Sequence, residues 1–325
     1  MRHQASLLLR ALPEGTAMSA VTTHYGIKDP VQFLDVSIDR DTSMFVDPMA
    51  IRLADGPEPF RADAIRCMTT YFDKVTECVL NAHVPSKAAI GEQLLQQFKE
   101  PFETRLGYAA DGYRGHGGAE DVGSWIWRVL TTDANALVRV GILTKIEEIP
   151  LFVNDIAHDI TSDLTTRIIF EPLVDYTATQ LARHPEFTRG ANQTAYFSKQ
   201  FWNPDTARWE YKQFELPIAG GQPLLLVPDA WARNSLLMNA GRFFDTTLLS
   251  HEQIRRAVVG HDGKLIKSRK DDLRADIERG RSTNIEVTLD AYHVDGTDLV
   301  TMHRDFIDER YGPVDPTVKA RRMRA

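Results

Sequence analysis

The stretch FVNDIAHDITSDLTTRIIFEPLVDYTATQL, Phe152 to Leu181, sets how the rest of the chain must be arranged. Leu164, Ile168, Ile169, Leu173, Val174, Tyr176 and Leu181 cover more than one face of a helix. A helix apolar on most sides is buried. Pro172 must kink this helix or begin its second segment, because proline has no N–H and clashes with the preceding turn. The first half is the reverse, with Asn154, Asp155, His158, Asp159, Ser162, Asp163, Thr165 and Thr166 in close succession. A polar run that leads into a buried helix enters the interior or lines a cleft.

If this run is helical, the spacing of four puts Asp155, Asp159 and Asp163 on one face. Like charges there repel, and they need a cation, basic partners or water. Asn154 and His158 add two more ligand types. Oxygen-rich sites of this kind suit Mg2+ or Mn2+. Such ions serve phosphodiester hydrolysis by activating water and stabilising the leaving oxygen. The plainer account has Asp159 or Ser162 as the helix N-cap and Asp163 paired with Arg167 one turn on. Both accounts stay open on sequence alone.

Upstream lies GYAADGYRGHGGAEDVG, Gly107 to Gly123, with six glycines. Glycine permits tight turns and close approach to a ligand, and a helix start behind such a loop can hold an anion. Arg114 and His116 are its candidate substrate-binding residues. No Gly-Lys-Ser/Thr follows, so it is not a phosphate loop of the Walker type, and a mobile surface loop is the competing account. Further upstream, apolar spacing predicts helices over Phe60–Asn81 and Ala88–Leu106, and another over Thr131–Ile146. Leu34, Val36 and Ile38, then Met44 and Val46, alternate around Asp39-Arg40-Asp41-Thr42 and predict a β-hairpin. Its aspartates lack the spacing of a calcium loop.

Downstream, the period changes after His184-Pro185. Tyr196–Phe201, Arg208–Ile218 and Leu224–Val227 read as a meander with turns at Asn203-Pro204-Asp205-Thr206 and Gly220-Gly221. Its middle strand carries Glu210-Tyr211-Lys212. This E-x-K triplet resembles the one in metal-dependent nucleases of the restriction-endonuclease type, where two acids hold the metal and the lysine sits near the attacking water. The resemblance stops at the triplet, since Ala195–Trp202 offers no partner acid. Helices are expected over Ser235–Thr247 and from Ser250. Arg255 to Arg281 then holds nine Lys or Arg against five acids. Lys264, Lys267, Arg269 and Lys270 are its candidate contacts to a phosphate strand. A solvated helix with internal salt bridges accounts for the same composition.

With 325 residues, 43% hydrophobic and 26% charged, the chain has the composition of a globular protein of one large or two ordinary domains. A net charge of −7 argues against coating nucleic acid by bulk charge. Cys67 and Cys78, about 16 Å apart along one helix, cannot pair, and two cysteines exclude a thiol-rich zinc site. No run approaches a membrane span, and the chain is expected in the cytoplasm. Serine-hydrolase, zincin and dinucleotide-binding signatures are absent.

The expected fold is α+β. Residues 1–17 form a disordered extension, 18–185 a mainly helical domain with one hairpin, 186–318 a β meander plus a basic helical region, and 319–325 a disordered basic tail. The expected function is that of a metal-dependent phosphodiesterase, foremost a nuclease acting on DNA or RNA in bacterial DNA processing or defence. Asp155, Asp159, Asp163 and His158 form its catalytic set, the three aspartates its metal ligands. The alternatives are a non-enzymatic subunit, which docks a protein partner, a second copy or nucleic acid through the basic third, and a small-nucleotide hydrolase.

Overall fold

The computed structural model describes residues 19–107, 119–154, 156 and 158–324. The disordered extension expected over 1–17 lies outside them. The architecture is α+β: helices dominate both ends, and a small antiparallel sheet lies between.

The Phe60–Leu80 helix is the main support. Its apolar residues recur every three or four positions, and Ala64, Cys67, Met68, Tyr71, Phe72, Val75, Cys78 and Val79 are buried. Cys67 and Cys78 are both free and buried. Pro85–Gln96 and Ala119–Thr131 pack closely together. A Cβ at Gly91 would fall 2.3 Å from the Trp127 ring, and one at Gly123 would fall 2.4 Å from the Leu95 carbonyl. Gly123 is therefore a helix-packing residue rather than part of a loop.

Two expected helices are shorter than their apolar patterns. The first stops at Gln96, because the side chain of Gln200 bonds the backbone on either side of Phe98, accepting from Lys99 N at 3.0 Å and donating to Gln97 O at 2.7 Å. In place of a helix over 131–146, the preceding helix ends at Thr131 and only Asn135–Arg139 follows.

The alternation over Leu34–Val46 does not fold back on itself as a hairpin. Phe45–Val46 pairs with Ala232–Arg233, and single bridges link Ala20 with Ser37, Phe33 with Pro228 and Thr42 with Leu106. The segment is extended, but its partners are distant in sequence.

The meander is present. Thr194–Asn203 pairs with Arg208–Ala219 from Thr194↔Pro217 to Asn203↔Arg208. Trp202 meets Tyr71 edge-on at 5.0 Å and Trp209 meets it at a tilt at 5.4 Å, and their indole N–H groups donate to Thr70 Oγ1 and Leu94 O. These contacts fix the sheet on the main helix. The third strand expected over Leu224–Val227 does not form; Gln222–Pro223, just before it, pairs with Ile218 and Ala219 instead. Leu224, Leu225 and Leu226 donate to Pro217 O, Glu103 O and Thr177 Oγ1, three separate segments, so that run is extended without forming a ladder.

Asp47, 1% exposed, caps Pro48–Leu53 by accepting from Met49 N and Ala50 N, and also accepts from Leu237 N at 2.7 Å. Asp47→Ala strips three buried N–H groups of their acceptor. The expected loss is about 3 kcal/mol in chemical denaturation.

Buried side chains on both sides of residue 186 belong to one core, from Val21 to Ile307. The tail expected to be disordered is instead a helix, Pro316–Arg324. It is tied down by the Lys319–Asp229 ion pair and by Arg322 Nη1 donating to Ser43 Oγ at 3.2 Å. Among the described residues no helix is long and apolar enough to cross a membrane.

Candidate functional site

The central stretch divides as its sequence requires. His158–Ile168 is one helix and Phe170–Arg183 a second, with Pro172 in the first turn of the second, where its missing N–H does no harm. Ser162 is not a cap. It lies one turn into the helix, and its hydroxyl accepts from Val46 N at 2.9 Å. Asp159 is in the first turn, and Asp163 follows on the same face.

Asp159 faces the entrance of the glycine loop. Gly107 has φ +134°, and a Cβ there would fall 2.9 Å from Asp159 Oδ1. Only glycine permits this approach. Arg114 and His116 lie outside the described residues, and so does Asp155.

Asp163 carries the strongest electrostatic signal on this face. Burial pushes its carboxyl up, and Asp159, Glu100 and Asp41 push it further, to about 8, against the opposing pull of Arg167. Four carboxyl groups from three separate segments thus share one field. The sign for stability follows directly. The folded state holds this proton from the ordinary value of 3.8 up to about 8, so the contribution is full below 3.8 and is lost as pH rises through 8. Asp163→Asn is expected to flatten that part of the stability profile, as measured by urea midpoints across the window.

Arg167 does not pair with Asp163. Its guanidinium, 2% exposed, donates to Lys99 O at 2.6 Å, Glu100 O at 2.9 Å and Gln200 O at 3.4 Å, and meets Glu103 Oε2 at 3.4 Å. Lys199 Nζ lies 2.7 Å from the other oxygen of Glu103, which is fully buried. This triad locks residues 99–103 and the Thr194–Asn203 strand to the central helix. Sequence spacing had no way to assemble it, because each member comes from a different segment.

His158 turns to another side. Its ring lies 5.4 Å from that of Phe45, its Nδ1 accepts from Leu236 N at 3.4 Å, and burial lowers its pKa. Accepting through Nδ1 leaves Nε2 as the nitrogen able to carry the ring proton. It lines a cavity of about 410 Å³ with Pro150, Ile156, Asn239, Ala240, Gly241 and Arg281. The structure thus joins the central stretch to the far end of the basic segment.

The other basic candidates are spread out. Lys264 is 85% exposed on a hairpin tip, 3.7 Å from Asp262. Lys267 follows that hairpin, and Arg269 immediately precedes the Lys270–Asp276 helix. Lys270 is committed elsewhere: its Nζ donates to Asp245 O at 2.9 Å and Thr246 O at 3.4 Å, in the π-helical segment Phe243–Leu248. Arg255, Arg256, Arg274 and Arg279 pair with Glu252, Asp276, Asp271, Asp245 and Asp290. Much of the basic segment is therefore internally neutralised. The E-x-K triplet is structural. Glu210 accepts from Asn203 and Thr206 in the hairpin turn, and Lys212 pairs with Glu171 at 2.6 Å.

Among the described residues, no group of three or more His, Cys, Asp or Glu side chains is arranged to hold a metal ion. Asp159 and Asp163 supply two carboxylates on one face, and the third expected ligand, Asp155, lies outside the described residues.

A family model described as a domain of unknown function, DUF8370, matches residues 26–239. The chain belongs to this family. The DUF8370 region holds Gly107, the central helix, the Glu103–Arg167–Lys199 triad and the meander, and it ends at Asn239 on the cavity rim. Lys264, Lys267, Arg269 and Lys270 fall outside it. No curated protein and no solved structure matches the chain.

Proposed function

We propose that this DUF8370 chain is a metal-dependent phosphodiesterase, a nuclease acting on DNA or RNA, with its reaction centre on the Asp159–Asp163 face of the central helix. The observation that carries the reading is the Asp163 carboxyl. Burial desolvates it, Asp159, Glu100 and Asp41 act on it electrostatically, Asp159 lies against Gly107 at the start of the glycine-rich stretch, and its pKa is pushed up to about 8. A carboxyl tuned toward neutrality beside another acid supports a reading as a functional site. As pH approaches 8 and this carboxyl loses its proton, it can take one from an attacking water. Asp159 and Asp163, with Asp155 one turn earlier in sequence, would hold a Mg2+ or Mn2+ ion, which would supply an activated water and stabilise the leaving oxygen. The Arg167–Glu103–Lys199 triad fixes the helix under these side chains. The glycine loop, with Arg114 and His116, would meet the phosphate.

Melting with and without Mn2+ tests the reading independently of activity. A ligand that binds only the folded state raises the melting temperature. Because the ligating carboxylate must lose its proton, the rise should grow as pH approaches 8 and vanish in Asp163→Asn. Absence of any rise, or an equal rise in the variant, would count against a metal at this face.

One observation favours a second reading, in which the chain is an interaction subunit. The basic third displays Val258, Val259, Leu265 and Ile266, all more than half exposed. Under this reading the aspartates have no role in cleavage, and Asp163→Asn changes stability alone.

A further inference from the structure

A cavity of about 770 Å³ shares no residue with the Asp159–Asp163 face. Its walls come from residues 54–57, 228–233 and 311–319, the last of which lie outside the DUF8370 region, and Val31 and Gln32 complete them. The walls are tied to one another. Trp231 Nε1 donates to Gly56 O at 3.0 Å, Arg233 Nη1 donates to Gly312 O at 2.9 Å, and Lys319 pairs with Asp229. Proline, alanine and valine make most of the lining. A preformed cavity of this size, largely apolar with a few fixed polar groups, is the usual form of a small-molecule site.

The charges on the walls narrow the ligand. They belong to Asp55, Asp229, Arg233 and Lys319. Asp229 and Lys319 neutralise each other. Among the described residues, neither Arg233 nor Asp55 has an ion pair, and the Asp55 carboxylate accepts no hydrogen bond.

Arg233 is held from two sides. Its backbone pairs with that of Phe45, and its guanidinium lies 5.6 Å from the centre of the Tyr311 ring. Asp47 feels this charge, but its oxygens already serve the N–H groups of Met49, Ala50 and Leu237. Asp55 acts on the same phenol as Arg233. Burial raises the pKa of the Tyr311 hydroxyl, Arg233 lowers it, and Asp47 and Asp55 raise it further. One uncommitted cation and one uncommitted anion therefore face a common, mostly apolar space.

A ligand bearing only an anion would be opposed by Asp55, and one bearing only a cation by Arg233. A molecule with both charges and an apolar body satisfies the two charges and the wall together. A guanidinium suits a carboxylate through its paired N–H groups, and a carboxylate suits an ammonium.

We propose that this cavity binds an apolar amino acid or short peptide as its zwitterion, with the ligand's carboxylate on Arg233, its ammonium on Asp55 and its side chains against the proline- and alanine-rich wall. The inference goes beyond the phosphodiesterase reading and does not depend on it.

The test is calorimetric titration of the full chain with leucine, leucyl-leucine, N-acetyl-leucyl-leucine and leucyl-leucine amide. The wild type should bind leucine, leucyl-leucine or both, and which of them binds identifies the source. Acetylation or amidation should each weaken binding about tenfold or more, the effect of losing one charge-assisted hydrogen bond. In Asp55→Asn the penalty for acetylation should vanish while the penalty for amidation stays. Arg233→Met should show the reverse. Asp55 is exposed, so the circular dichroism of its variant should be unchanged. Ala230→Trp, which fills the cavity and alters neither charge, should abolish binding, and it decides the matter even if Arg233→Met fails to fold. No binding by the wild type at millimolar ligand would overturn the proposal. So would equal affinity for free and blocked peptides, or binding that survives in folded Ala230→Trp.

Discussion

Asp163→Asn is expected to abolish metal-dependent cleavage of nucleic acid while leaving the chain folded and, in the absence of metal, more stable above pH 8. Activity and stability should therefore move in opposite directions. Asparagine keeps the shape of the side chain and removes the titrating oxygen. It removes the burial cost of the charged form and the repulsion from Asp159, Glu100 and Asp41, which together push the carboxyl up to about 8. If Asp163 only supported the fold, the substitution would be neutral or favourable and nothing else would change. If it takes the proton from water or ligates a cation, activity should fall by at least about a hundredfold, since even residues that merely orient ligands cost 10–100-fold. Asp159→Asn should cause a comparable loss. It also lowers the repulsion on Asp163, so any residual activity should have its pH optimum displaced downward. Steady-state cleavage over a pH series, beside urea denaturation of the same proteins, measures both effects.

Arg167→Ala is expected to have the largest effect on stability, about 3–5 kcal/mol, the range for removing one partner of a buried ion pair. Glu103 is fully buried and would keep only Lys199. Three carbonyls, those of Lys99, Glu100 and Gln200, would lose their donor. Lysine should not rescue the loss, because one ammonium cannot reproduce the planar fork that reaches these groups from different directions. The double variant Arg167→Met/Glu103→Gln should cost less than Arg167→Ala, because it removes the stranded charge together with its partner. Arg167 also lowers the pKa of Asp163, so its removal should raise that carboxyl further. A marginally folded Arg167 variant would then need higher pH for any remaining activity. Urea midpoints with a double-variant cycle decide the first point, and pH–rate profiles the second.

These two residues also show what was legible in the sequence. The helix over Phe60–Leu80 could be read closely because its buried face recurs at helical spacing without interruption. The meander could be read because turn residues flank alternating apolar positions. The two helical segments around Pro172 followed from proline's missing donor. Placement of Asp159 and Asp163 on one face followed from their spacing of four.

What could not be read depended on partners distant along the chain. Arg167 is four residues after Asp163 and looks like its partner, yet the guanidinium goes to Glu103 and three backbone carbonyls. Asp41 and Glu100, which act on Asp163, lie far from it along the chain and belong to no motif. The extended 31–46 segment alternated like a hairpin strand, but its bonds go to residues around 20, 106 and 228–233. His158 was grouped with the aspartates by proximity in sequence. One residue along a helix is a turn of 100°, and that turn places it in the cavity with Arg281 instead.

The central claim rests on chemistry at the Asp159–Asp163 face, and a cleavage assay tests it most directly. Purified chain would be incubated with single- and double-stranded DNA and RNA, with Mg2+, Mn2+ or chelator, beside folded Asp159→Asn and Asp163→Asn. Cleavage by the wild type that needs the metal and is lost in both variants is the predicted result. No cleavage of any of these substrates with either metal, or cleavage that survives in both variants, would contradict it.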